Sequence, residues 1–85
     1  MKMPQANEFF TTYDLNLSAV LVASGFQLDS IEKQNHKKAL FYFARNAELD
    51  KVLQAYWSQQ IRMDPFALFN ALKFLKNRLY SNYQD

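Results

Sequence analysis

The side chains best equipped for chemistry in these 85 residues are cationic and aromatic rather than nucleophilic. Lys37 and Lys38 follow the only histidine, His36, with Tyr42 and Arg45 shortly after them. On an extended ribbon that order puts cations at a turn, a ring on one face and a guanidinium at the far end. Cations track phosphates and exposed rings stack bases, each stacked base contributing about 1–3 kcal/mol. Lys73, Lys76 and Arg78 add positive charge near the end of the chain. The same residues also have plain structural uses. Lysines on a hairpin deter edge-to-edge pairing, and cations late in a helix complement its dipole.

Most catalytic inventories fail. One glycine cannot build a phosphate-binding Gly-rich turn, and the absence of cysteine removes thiol nucleophiles, disulfides and cysteine-based metal sites. His36 has no second histidine or carboxylate at ligand spacing. Glu48, Asp50, Asp14 and Asp64 all stand where helix starts need acids, and Asp29 and Glu32 flank a suspected bulge, facing solvent. The expectation is therefore no enzyme, no catalytic residue, no metal and no cofactor.

Size bounds the rest. Eighty-five residues make one domain, with residues 11–80 as its body and 1–10 and 81–85 as tails. Half of the chain is hydrophobic, with eight Phe, five Tyr and one Trp, which is ample for a core. No run of apolar residues approaches the roughly 20 that span a bilayer. With no cysteine and no secretory stretch at the start, a cytoplasmic protein is expected. The net charge of +2 is unevenly spread: two lysines against four acids up to residue 35, then eight basic residues against four acids. A basic second half favours an anionic partner.

Thr11 with Asp14 fits a capping box, so a first helix is expected from Thr11 to about Ser24, with Phe9 and Phe10 docked before it. Leu17, Val20 and Leu21, widened by Leu15, Ala19 and Val22, predict a helix covered on most sides. Gly25 sits where a left-handed C-terminal cap is needed. Phe26 to Lys33 has strand character, with a bulge near Asp29-Ser30. Ala39 to Ala44 is the clearest strand, Phe41 and Phe43 on one face and Leu40 and Tyr42 on the other. Together they predict an antiparallel hairpin. Asn46 caps a second helix carrying Leu49, Val52, Leu53, Tyr56 and Trp57 at helical spacing. Ile61 and Met63 alternate, which allows a short edge strand over 60–63. Asp64-Pro65 starts a last helix with the core stripe Leu68, Phe69, Leu72, Leu75 and Leu79. The predicted class is α+β, order α-β-β-α-α, a hairpin packed against three helices.

The series Asp14-x-x-Leu17, Gly25, aromatic strand, Tyr56-Trp57, Asp64-Pro65 and Leu75-Lys76 resembles a group of short uncharacterised bacterial and phage-associated domains over residues 9–80. The resemblance implies the same element order and a prokaryotic or mobile-element setting. It transfers no activity and no site residue.

Two functions follow as expectations. The first is a nucleic-acid-associated binding module using Lys37, Lys38, Tyr42, Arg45, Lys73, Lys76 and Arg78 on single-stranded DNA, RNA or a nucleoprotein complex. The alternative is a protein-interaction module, whether adaptor, inhibitor or self-associating subunit. It would use an aromatic face formed by Phe66, Asn70 and Phe74 on the last helix together with Trp57.

Overall fold

The computed structural model describes residues 8–81, so the parts of the expected tails at 1–7 and 82–85 lie outside the described residues. Its elements are β1 (Phe9–Thr12), α1 (Leu15–Ala23), β2 (Leu28–Asn35), β3 (Lys38–Ala44), α2 (Ala47–Trp57) and α3 (Pro65–Ser81). The class is α+β, with three antiparallel strands in the order β1-β3-β2.

The third strand is the main correction. Residues 60–63 form no strand, and the extra strand comes from Phe9–Thr12 instead. Phe9 and Phe10 do dock against the body, but as part of the ladder: Phe10 opposes Phe43 and Thr12 opposes Phe41. β3 thereby gains partners on both sides. Thr11 is consequently not a helix cap. Asp14 is, its Oδ1 accepting from the Asn16 and Leu17 amides at 2.9 and 3.2 Å. The capping-box pattern placed the helix start one turn too early.

The remaining punctuation acts as expected. Gly25 has φ +98°, in the left-handed region that favours glycine. The β2–β3 register slips between Leu28 and Ser30, where the bulge was expected. β2 runs on to Asn35 and β3 starts at Lys38, so the hairpin turn is a tight one. The Asn46 side chain accepts from the Leu49 amide at 2.8 Å and starts α2. Asp64 does the same for α3 through the Ala67 amide.

All three helices share one core with one face of the sheet. Phe41 and Phe43 from β3 meet Leu17, Ala19 and Leu21 from α1, Leu49 and Leu53 from α2, and Ala71 and Leu75 from α3. α1 packs against α3 within the helix layer and is buried from Leu17 through Leu21. On the opposite sheet face none of Phe9, Thr11, Ser30, Glu32, Leu40, Tyr42 and Ala44 is fully buried. The molecule is accordingly thin, 39 × 37 × 20 Å, room for one sheet layer and one helix layer.

Two aromatic assignments change. Phe69, expected in the α3 core stripe, is 56% exposed, and Trp57 at the end of α2 is 58% exposed. Ala71 takes the buried place between Leu68 and Leu75. α3 turns only a narrow stripe inward because it packs chiefly on one neighbour, α1. Phe66 and Phe74 stand outside as the second stripe requires, at 69% and 43% exposure.

Candidate nucleic-acid interface

The expected ribbon of cations and Tyr42 is divided by the fold. Tyr42 does lie on the uncovered sheet face, with Phe9 edge-on to its ring at 6.2 Å between centroids. Its hydroxyl, however, donates to Glu32 Oε1 at 2.7 Å. That hydrogen bond, followed by desolvation and the carboxylate charge, raises the Tyr42 pKa. A carboxylate at the centre of the face repels phosphate. Arg45 lies seven residues from Lys38, about 23 Å along the strand, and its Nε is 3.1 Å from Asp50 Oδ1. Lys73, Lys76 and Arg78 are all exposed on α3, with Arg78 5.7 Å from the Phe74 ring centroid. The seven residues do not form one surface.

What gathers instead is the hairpin tip with the end of α3. Asn35 Oδ1 accepts from the Lys37 amide at 2.8 Å, closing the turn and presenting His36, Lys37 and Lys38 together. Lys38 Nζ lies 5.0 Å from the Tyr13 ring centroid. The Tyr13 hydroxyl donates to Gln34 Oε1 at 3.0 Å, which fixes that ring against the hairpin. Lys33 Nζ donates to the carbonyl of Leu79 in the last turn of α3, the end where a helix dipole favours a cation. This bond joins residues 46 positions apart and brings Tyr80 to the tip.

Between these pieces is a cleft of about 250 Å³. Its floor is apolar, formed by Leu15, Ala39, Phe41 and Leu79, and Lys33, Asn35, His36, Lys37, Lys38, Tyr13 and Tyr80 form its rim. Among the described residues no Asp or Glu lines it. Tyr13 and Tyr80 are 50% and 60% exposed, so both rings offer surface to a ligand. Neither Lys37 nor Lys38 has a carboxylate partner among the described residues. The volume is below the ~300–1,000 Å³ of small-molecule sites.

Of the expected residues, Lys37 and Lys38 are the two that line this cleft. Lys33, Tyr13 and Tyr80 are additions. Tyr13 reads in sequence as the start of a helix and Tyr80 as its end, and only the tertiary fold unites positions 13, 33–38 and 80. A larger open groove of about 590 Å³ lies between the end of α1 and α2. Its charges are mixed, and Glu48 there already pairs with Lys51 at 3.5 Å. Among the described residues no group of three or more His, Cys, Asp or Glu could hold a metal ion, and no helix is long and apolar enough to cross a membrane.

Comparison with known sequences gives a family without an activity. The model of the family described as "Domain of unknown function (DUF5659)" matches residues 7–81, nearly the whole chain, and the protein belongs to that family. No curated protein and no solved structure matches the chain.

Proposed function

We propose that this member of a family with no assigned activity is a non-catalytic module that binds single-stranded DNA or RNA at the hairpin-tip cleft. The observation that carries this reading is the cleft itself: three lysines and two half-exposed tyrosine rings, with no carboxylate lining it among the described residues. A phosphate bridging Lys37 and Lys38 would leave the adjoining base beside Tyr13 or Tyr80. Stacking tolerates any base, so binding depends on charge and shape more than on sequence. A bacterial or phage cytoplasm is the setting we propose, on the strength of the resemblance in the signal series and a cysteine-free composition.

The test is fluorescence anisotropy with a labelled single-stranded oligonucleotide at low and raised salt. Affinity should fall as salt rises, with a log–log slope of roughly −0.7 for each phosphate neutralised. Lys37→Glu with Lys38→Glu should abolish binding while the circular dichroism spectrum is kept. Tyr80→Ala should weaken it by about 5- to 150-fold, the equivalent of one stacked base. Unchanged affinity in both variants would remove the cleft as the site.

A specific observation favours protein contact as a second reading. Phe66, Phe69 and Phe74 are all exposed on α3, with Phe66 and Phe69 packed edge-to-face at 6.2 Å. Trp57 lines a shallow pocket with Tyr56, Gln59 and Ile61 on a separate element. The interface of this reading is the α3 face, with Trp57 exposed at the end of α2.

A further inference from the structure

Three residues on the outer face of α3 read the same in both directions. Phe66, Asn70 and Phe74 recur at four-residue intervals, so a twofold axis through Asn70 exchanges the two phenylalanines. All three residues are exposed. The same operation sets Ala67 against Lys73. We infer that α3 is the interface of a twofold, antiparallel homodimer centred on Asn70.

Three physical features support a second copy as the occupant. A twofold interface must be self-complementary, each patch meeting itself reversed, and the Phe-Asn-Phe series meets that condition. Charge is complementary in the same register. The segment Pro65–Ser81 holds Lys73, Lys76 and Arg78 and no acid, so a parallel pair would stack like charges. An antiparallel pair instead carries the cationic end of one helix towards Asp64 of the other and opposes the two helix dipoles. Finally, the Asn70 amides meet on the axis, where each can donate to and accept from the other. A single polar pair inside an apolar seam fixes register in just this way. Phe66 of one copy then packs beside Phe74 of the other, and Ala67 leaves room for the Lys73 stem.

The chain has no cysteine, so single cysteines report the geometry directly. Asn70→Cys sits on the axis and should oxidise to a covalent dimer. Asn77→Cys is equally exposed on the same side of the helix, yet its symmetry mate would be about 21 Å away, beyond disulfide reach. It should form no covalent dimer. Light scattering of the parent chain across a concentration series should show a dimer that Phe74→Asp dissolves while helicity is retained. A monomer at every concentration, or equal cross-linking of the two cysteine variants, would overturn the inference. These measurements use no oligonucleotide and substitute no residue that lines the cleft, so their failure leaves the nucleic-acid reading standing.

Discussion

At the scale of single residues, the contrast between Tyr42 and Tyr80 decides where a base could stack. Both are exposed enough to touch a ligand, but Tyr42 is held by Glu32 and Tyr80 borders lysines. The raised Tyr42 pKa means the fold favours the neutral phenol. The contact therefore stabilises below the ordinary tyrosine pKa and is lost as pH rises through the folded value. Glu32→Gln should bring the Tyr42 titration back towards the ordinary value, read from its ring carbon chemical shift, and leave nucleic-acid affinity unchanged or improved. A Tyr42 titration that does not move would show that the carboxylate is not its cause. The alternation of Phe41 and Phe43 with Leu40 and Tyr42 was legible in sequence, because period two fixes which side chains share a face. The Glu32 partner was not, since a register slip at Ser30 sets which β2 residue reaches Tyr42.

At the scale of elements, short polar signals position the site. Asp14 and Asn46 cap α1 and α2, and Gly25 ends the turn after α1 in a left-handed conformation. Asn46→Ala should cost about 1 kcal/mol in a denaturant melt by leaving the Leu49 amide without its acceptor. Gly25→Ala should cost roughly 1–2 kcal/mol through backbone torsion alone, because an added Cβ meets no atom within 4 Å. A neutral Gly25→Ala would show that this turn relaxes to negative φ. These boundaries could be read from sequence because each is decided by local chemistry. The third strand could not. Residues 60–63 alternate and Phe9–Thr12 does not, yet it is Phe9–Thr12 that reaches the free edge of β3. Phe69 failed for a related reason: four-residue spacing allows either of two adjacent stripes inside, and the neighbouring α1 selects the one through Ala71 and Leu75.

At the scale of the whole molecule, one layer of helices on one face of a sheet leaves three surfaces uncovered: the Tyr42 face, the α3 ridge and the cleft at the tip. Each combines aromatics with different charge, acidic at Tyr42, cationic beside the α3 phenylalanines, and cationic without a lining acid at the cleft. Pairing two copies through α3 would place the two Tyr80 residues about 30 Å apart, at opposite ends of the dimer. A strand long enough to reach both clefts would then bind more tightly than a short one, by effective concentration alone. Sequence reading supplied the two competing functions and two lysines of the cleft. The grouping of Tyr13, Lys33 and Tyr80 with them depends on a hairpin turn meeting a helix end 46 residues away.

The most direct test is an amide chemical-shift map of the isotope-labelled chain titrated with a single-stranded oligonucleotide at low salt. Perturbations should concentrate at Lys33 to Lys38, Tyr13 and Leu79-Tyr80 and fade as salt is added. Shifts centred on Tyr42 and Arg45 or spread along α2, or a spectrum that does not change, would contradict the assignment of the cleft as the binding site.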